Sequence, residues 1–308
     1  MSKTLLCDVQ TDAINDIVIG VCAYIVFFGD FVDILYGRAI IVTIVRFDLF
    51  IVGRSILMKV DLNSDLGESF GAYTIGRDAN ILELVTSCNI ACGFHAGDPA
   101  VMNTTVQQAV ENGVAIGAHP GLNDLEGFGR RAMQITPKEA YEMVVYQVGA
   151  LDAFVKVHGG KLQHVKPHGA LYNMSYDDYA LAKAIAQAIY DINPELIFMG
   201  LAGSEHIRAG KDIGLPVASE VFADRAYDAR GRLVSRSKPH AVIQEPQTAV
   251  KQVLQMVQDG TVTAEDGSVI AIQADSICVH GDTDQALNLV REISRALTAA
   301  GIQQEALI

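Results

Sequence analysis

The chain has 308 residues, half of them hydrophobic and 19% charged, which supports a sizeable buried core and argues against disorder. Its formal net charge is −13, so its surface repels phosphate backbones and anionic membranes, and no nucleic-acid partner is expected. Five cysteines, an odd number in a chain this long, do not indicate a disulfide framework and favour the reducing cytoplasm.

The first 57 residues differ in composition from the rest of the chain. They contain no Glu and no Pro but many Ile, Val and Phe, whereas both missing types are ordinary after Met58. Three early aspartates replace the basic start of a secretory signal, and the longest apolar run, 17–29, is too short to span a bilayer. This segment is either an apolar appendage that packs on a partner or a membrane surface, or an artefact upstream of a translation start at Met58. We favour the second interpretation and expect one domain over residues 58–308.

From residue 58 onward, short apolar runs of strand length alternate with helical patterns. This alternation is typical of parallel βαβ units. Seven strands are predicted, at residues 59–63, 86–92, 114–118, 164–167, 196–201, 217–221 and 276–279.

Several helices between these strands have recognisable start signals. Thr136 to Glu139 forms a capping box with Pro at the first helical position, and Asp98 precedes a proline in the same way. The pattern Ser175-x-x-Asp178 predicts another helix start. Two short runs, at 261–264 and 268–272, flank Glu-Asp-Gly and predict a small β-hairpin inserted before the last strand.

Polar side chains follow nearly every predicted strand. The carboxyl ends of parallel strands in a barrel converge on one face, which holds the active site. Polar groups after six strands favour a closed barrel over an open sheet, in which ligands bind only at the switch point. The sequence therefore predicts a seven-stranded parallel (β/α) barrel. Four of the eight histidines lie at such strand ends: His95, His119, His168 and His280.

For each of these polar residues, a purely structural role must be weighed against a functional one. A single strand-end histidine is more often a hydrogen-bonded structural residue, and Asp98 fits a helix cap. Asp65 and Glu68 lie in a glycine-containing loop where no cap is needed, which favours a functional role. Lys166, on a buried strand, is costly to desolvate without an anionic partner, either a substrate or a carboxylate neighbour.

Two loops of the predicted barrel are basic. Arg130 and Arg131 follow the third strand, and Arg225 follows the sixth. Arginines bind a planar carboxylate or a phosphate well, but solvent-exposed loops with local ion pairs explain these residues equally well. The sequence has no G-x-x-x-x-G-K-[ST] phosphate loop, no nucleophile elbow and no H-E-x-x-H zinc pair.

Six sequence blocks follow one another along the chain. They are MKVDLNSDLGE at 58–68, NIACGFHAGD at 89–98, AHPG at 118–121, VKPHGALY at 165–172, EVFADRAY at 220–227 and VHGD at 279–282. In this order they resemble the LamB/YcsF family, that of the A subunit of bacterial ATP-dependent 5-oxoprolinase. The resemblance runs from residue 58 to about 301, and residues 1–57 have no counterpart in it.

The resemblance implies an incomplete, seven-stranded TIM-like barrel of the glycoside hydrolase/deacetylase type. It also implies cleavage of the lactam 5-oxoproline to L-glutamate, coupled to ATP hydrolysis, with B and C partner subunits. ATP would act through the complex, which agrees with the missing nucleotide motif. Two alternatives stay open: a stand-alone metal-dependent deacetylase or amidase, and a non-catalytic substrate-binding subunit.

Roles follow from this expected chemistry. Asp65 or His119 would act as base for water, Lys166 would stabilise the developing oxyanion, and His168 or His280 would act as acid. Alternatively, Asp65, His95 and His119 would ligate a divalent metal. The residues expected to bind the substrate are Asn63, Glu68, His95, Arg130, Arg131, Glu220 and Arg225.

Overall fold

The computed structural model describes residues 58–279 and 284–307. The expectations for residues 1–57, for the boundary at Met58 and for His280 therefore lie outside the described residues. Within the described ranges, no helix combines the length and the apolar composition needed to cross a membrane.

Seven parallel strands close into a barrel. The strands in the described ranges are β1 (Lys59–Leu66), β2 (Ser87–Ala91), β3 (Ala115–His119), β4 (Leu162–Val165), β5 (Ile197–Leu201), β6 (Val217–Phe222), β7 (Thr261–Thr263), β8 (Val269–Ala271), β9 (Ser276–Cys278) and β10 (Gln303–Gln304). The order around the barrel is β1-β2-β3-β4-β5-β6-β9, with β9 pairing back to β1. The seven-stranded barrel is confirmed, and each predicted strand overlaps an observed one. Two placements are wrong: the first strand extends to Leu66, so Asp65 lies on it and not in a loop, and the fourth ends at Val165, so Lys166 follows it. The inserted hairpin is confirmed as well, as the antiparallel pair β7–β8.

Helices connect most of the barrel strands, and their starts follow local capping chemistry. At the start of α3 (Pro137–Val157), the Thr136 hydroxyl accepts from the Glu139 amide and the Glu139 carboxylate accepts from the Thr136 amide, so the predicted capping box is confirmed. The α-helices in the described ranges are α1 (Asp78–Leu82), α2 (Pro99–Glu111), α3 (Pro137–Val157), α4 (Gly169–Asp177), α5 (Tyr179–Ile192), α6 (Glu205–Ile213), α7 (Pro246–Leu254) and α8 (Asp284–Ala299).

One predicted helix start is wrong. Ser175 lies inside α4, where its hydroxyl donates to the Leu171 carbonyl oxygen at 2.5 Å. Asp178 is the cap instead, because its carboxylate accepts from the amides of Ala180 and Leu181 in the first turn of α5. Since α4 and α5 follow one another directly, the pattern placed the start one element too early.

The inside and the outside of the barrel wall differ in polarity. Successive residues of a strand face opposite sides, so Asp61, Asn63 and Asp65 share one face of β1 and Leu62 and Leu66 the other. The leucines join a large apolar core between strands and helices, in which each fully buried side chain contributes roughly 1.5–3 kcal/mol. The polar face points into the barrel, so the apolar layer around the wall carries most of the hydrophobic stabilisation.

The seam between the first and last barrel strands is joined by polar side chains. Asn63 Nδ2 donates to the Ser276 hydroxyl at 2.7 Å, and that hydroxyl donates to Asp61. Ser64 also donates to the Val279 carbonyl oxygen, at 2.8 Å. Hydrogen bonds from side chains therefore reinforce the backbone pairing where the barrel closes.

Candidate active site

A cavity of about 590 Å³ opens at the carboxyl ends of the barrel strands. Its inner end is lined by Asp65 of β1, His119 of β3, and Lys166 and His168, which follow β4. Four of the five residues expected to be catalytic thus lie around one cavity, and the fifth, His280, is outside the described residues. Their roles stay predictions.

Lys166 lies at the floor of this cavity with its side chain 2% exposed. Its Nζ lies 2.8 Å from Asp65 Oδ1 and 2.6 Å from Glu220 Oε1, so two carboxylates supply the anionic partner that burial requires. Burial alone would lower the pKa of Lys166, but the two negative charges outweigh it and hold this pKa well above its ordinary value. The ammonium group is therefore a fixed positive charge at the floor of the site.

Two further groups contact this ion pair, and sequence reasoning named neither as functional. Tyr172 donates from its hydroxyl to Glu220 Oε2 at 2.7 Å, and burial raises the pKa of Tyr172 well above its ordinary value, so the hydroxyl stays a donor. Cys278 Sγ lies 3.3 Å from Lys166 Nζ, and burial raises the pKa of this thiol, so it stays neutral. Tyr172 belongs to the block at 165–172, which is the signal that could have pointed to it.

A cluster of three imidazoles and one carboxylate adjoins the ion pair. One ligand atom from each of these residues lies within 4.8 Å of the others. The rings of His95 and His168 stack with centroids 3.6 Å apart, and Glu68 Oε1 lies 3.4 Å from His95 Nε2 and 3.7 Å from His168 Nδ1. The cluster consists of Glu68, His95, His119 and His168.

Backbone carbonyls fix the tautomers of two of these imidazoles. His119 Nδ1 lies 2.7 Å from the Lys166 carbonyl oxygen and His168 Nε2 lies 2.8 Å from that of Phe128. Because a carbonyl only accepts, we assign the ring proton to these nitrogens. The other nitrogens, His119 Nε2 and His168 Nδ1, then face each other at 3.0 Å with their lone pairs. Two converging lone pairs repel unless a cation lies between them, as in a set of metal ligands.

The protonation of the cluster agrees with metal ligation. Burial lowers the pKa of His168 to about 3 and lowers that of His95 well below its ordinary value. Both rings are therefore neutral at physiological pH, which is the form that binds metals. A glycine gives them room, because a Cβ at Gly129 (φ +62°) would lie 2.6 Å from the His95 Cβ and 2.9 Å from His168 Cδ2.

The three arginines expected to bind the substrate have different surroundings. Arg130 lines the cavity, with its guanidinium 4.7 Å from the centre of the Phe128 ring. Arg131 does not line the cavity; its Nε donates to Asp124 at 2.8 Å. Arg225 lines the cavity but donates to backbone carbonyl oxygens of its own loop, at 2.6 and 3.2 Å, and burial lowers its pKa to about 10. Its side chain therefore holds that loop in place.

The remaining residues expected to bind the substrate do not line the cavity. Asn63 and Glu220 contact Lys166 beneath the floor, at 3.2 and 2.6 Å, whereas Glu68 and His95 belong to the imidazole cluster. From these positions Asn63 and Glu220 can affect a substrate through Lys166. Their assignment to direct substrate binding stays a prediction.

Known proteins resemble this chain over most of its length. The model of the LamB/YcsF family matches residues 60–308. The A subunit of 5-oxoprolinase from Brevibacillus brevis is 60% identical over 246 residues, which cover 80% of this chain and 97% of that relative. The corresponding 5-oxoprolinase chain of Bacillus subtilis (strain 168) is 56% identical over 251 residues, covering 82% and 98%.

A solved structure agrees with these relatives. The crystal structure of the lactam utilization protein from Thermus thermophilus superposes with a TM-score of 0.77 at 45% sequence identity, covering 81% of this chain and 100% of that one. The family match and the high identity of the relatives confirm the resemblance found in the sequence blocks. The chain belongs to the LamB/YcsF family.

Proposed function

We propose that residues 58–308 act in the cytoplasm as the A subunit of an ATP-dependent 5-oxoprolinase, with B and C partner subunits. The relatives are named as the A subunit of this enzyme, and such a name indicates a multi-subunit complex. The observation that carries the proposal is the cavity floor, where the Lys166 ammonium and the Asp65 carboxylate lie 2.8 Å apart beside neutral imidazoles.

Opening a lactam needs the groups that this floor offers. A lactam is a resonance-stabilised amide that water attacks slowly, and phosphorylation of its carbonyl oxygen by ATP, bound through the complex, would make the carbon electrophilic. Water then adds to this carbon, the ring C–N bond breaks as the nitrogen accepts a proton, and a second water releases phosphate from the acyl phosphate that remains. These steps require a base for water, a positive charge near the oxygens that gain negative charge and a proton for the ring nitrogen.

The residues at the cavity divide these tasks between them. Asp65 accepts the proton of the attacking water, and Lys166, held at a fixed position by two carboxylates, stabilises the negative charge on the phosphorylated carbonyl oxygen. His119 is the alternative base. Burial lowers the pKa of His168 to about 3, so this ring is neutral and unsuited to act as the acid. His280, outside the described residues, stays the candidate that donates the proton to the leaving nitrogen. Arg130, at the cavity wall, binds the substrate carboxylate.

A divalent metal fits the imidazole cluster better than the set expected from sequence. Glu68 and His168 join His95 and His119 there, whereas Asp65 belongs to the lysine ion pair. Three carboxylates, including Glu220, surround one ammonium and neutral rings, so a divalent cation would bring the site close to neutrality. When bound, such an ion would polarise the substrate carbonyl and lower the pKa of water.

Reconstitution tests the proposed activity. The chain is combined with its partner subunits, and glutamate release from 5-oxoproline is followed with and without ATP. We expect turnover only in the full mixture, and a loss of at least about 100-fold in Asp65→Asn and Lys166→Ala. Lys161→Ala is the matched control, because Lys161 pairs with Glu195 on the surface. Near wild-type turnover in both site variants would contradict the role assignment.

Two other outcomes would favour the alternative functions. Amide hydrolysis by this chain alone, abolished by a chelator, would support a stand-alone metal-dependent deacetylase or amidase. Site variants that lose 5-oxoproline binding but keep the single-turnover rate of the chemical step would support a substrate-binding subunit.

Metal analysis tests the ion site independently of activity. The full chain is dialysed against Zn²⁺, Mn²⁺ or Co²⁺, and bound metal is measured by mass spectrometry and by Co²⁺ absorption. We expect about one ion per chain and its loss in His119→Ala and Glu68→Gln. His158→Ala should retain the ion, because this half-buried histidine contacts Asn103 and is not part of the cluster. A chain that stays metal-free under all three conditions would exclude the site.

A further inference from the structure

The Asp65 carboxylate is held by groups that lie beneath the cavity. Its Oδ1 accepts from Lys166 Nζ at 2.8 Å and from Asn89 Nδ2 at 2.9 Å. Its Oδ2 lies 3.4 Å from His119 Nε2. Lys166 and Asn89 together determine the direction in which this carboxylate faces the cavity.

The side-chain amide of Asn89 has only one orientation that satisfies its neighbours. Its nitrogen donates to Asp65 Oδ1 and, at 2.8 Å, to Asn63 Oδ1. Asn63 is itself fixed, because its oxygen accepts from Lys166 and its nitrogen donates to Ser276. A reversed Asn89 amide would place its oxygen against two acceptors, so Asn89 Oδ1 must point the other way.

His164 lies on that other side, with its Nε2 2.7 Å from Asn89 Oδ1. Burial lowers the pKa of His164 to about 3, so the ring carries a single proton. Nδ1 also faces an acceptor, Gln163 Oε1, but at 3.1 Å, so we assign the proton to Nε2, which makes the shorter contact. His164 is fully buried and does not line the cavity. It therefore cannot touch a substrate, yet it fixes the residue that orients Asp65.

The neighbouring strand leaves room for this imidazole. A Cβ at Gly117 of β3 would lie 2.0 Å from His164 Nε2 and 2.3 Å from its Cδ2. Gly117 is not among the glycines with positive φ, so its backbone conformation alone does not require glycine. The missing side chain at this position is explained by the space that the His164 ring occupies.

We propose that His164 is a positioning residue, which acts through Asn89 to hold the Asp65 carboxylate in its reactive orientation. The inference rests on the proposed lactam hydrolysis, in which Asp65 is the base, and it adds a buried residue that nothing else assigns to this reaction. Because a misplacement of about 1 Å in a reacting group can cost roughly 100-fold in rate, His164 matters without touching the substrate.

A double-mutant cycle in the reconstituted complex tests this proposal. His164→Leu should lower kcat by about 10–100-fold with KM within about threefold, and His164→Gln, whose amide nitrogen can replace Nε2, should restore most of it. In an Asp65→Asn background, His164→Leu should add less than about a twofold loss. The matched control is His206→Leu, since His206 is equally buried but bonds to Ser175.

Three results would overturn the proposal: unchanged kcat in His164→Leu, no difference between the Gln and Leu variants, or a loss of equal size in the Asp65→Asn background. Should the Leu variant not fold, His164→Asn, whose amide is too short to reach Asn89, replaces it in the comparison with His164→Gln.

A structural readout separates this proposal from the proposed function. If the wild-type complex does not open 5-oxoproline, the proposed function is refuted. Nitrogen-15 NMR of the His164 ring and a crystal structure of His164→Asn still test whether His164 orients the Asp65 carboxylate. We expect a proton on Nε2 and a rotated Asp65 carboxylate in the variant. A proton on Nδ1 alone, or an Asp65 carboxylate that does not move, would refute it.

Discussion

Replacing Lys166 by methionine removes the charge at the cavity floor while keeping the length of the side chain. Lys166 Nζ lies within 2.8 Å of Asp65 and Glu220, and Glu220 is completely buried. Breaking a buried ion pair from one side typically costs about 3–5 kcal/mol, because the remaining charge has no partner. We expect Lys166→Met to lower the free energy of unfolding by about that amount.

Urea unfolding of the full chain at pH 7.5 measures this loss. Neutralising Glu220 as well should recover part of the lost stability, so Lys166→Met/Glu220→Gln should be about 1–3 kcal/mol more stable than Lys166→Met. Lys161→Met serves as control and should be indistinguishable from wild type, since its partner Glu195 is exposed. A loss under about 1 kcal/mol in Lys166→Met at unchanged m would refute the electrostatic reasoning.

Further predictions concern pH, substrate binding and capping. Burial lowers the pKa of His206 from 6.5 to about 3, so below pH 6.5 the unfolded chain binds a proton that the folded chain does not, and stability falls as the pH falls. Between pH 7.5 and 5.0 this one residue should lower the free energy of unfolding by about 2 kcal/mol. In urea titrations, the decrease between these pH values should therefore be smaller by that amount in His206→Leu than in wild type; an equal decrease would exclude His206 as its source. Arg130→Ala should raise the KM for 5-oxoproline by about 10-fold or more, whereas Arg131→Ala should leave it unchanged; equal effects would contradict the placement of the two side chains. Asp98→Ala should cost about 1 kcal/mol in thermal unfolding with kcat unchanged, and a large loss of kcat would assign Asp98 to the site.

The barrel could be predicted from sequence because each wall strand is a short apolar run between helical patterns. The last strand, β10 (Gln303–Gln304), was not predicted, since two glutamines form no apolar run and depend on pairing with Lys59 and Val60. The misplaced start at Ser175 has a related cause. Local capping signals do not show whether a helix has already begun, and only packing places Ser175 inside α4.

The site could be predicted only where its residues lie at the carboxyl end of a strand or just beyond it. The rule that polar groups gather at the carboxyl ends of parallel strands brought Asp65, His119 and Lys166 together. Asn89 and His164 lie deeper in the barrel, and recognising them requires the register of neighbouring strands, which the sequence does not state. The choice between Arg130 and Arg131 likewise depends on a turn in which Phe128 has φ +55°.

The polar seam between β1 and β9 has a consequence for the order in which the domain is made. Asp61 and Asn63 emerge early in synthesis, but Ser276, which hydrogen-bonds to both, comes near the end. Until Ser276 has been synthesised, these polar side chains of β1 lack that hydrogen-bond partner. A fragment that stops before residue 276 should therefore be recognised by chaperones and proteases as incomplete, however well its outer helices pack.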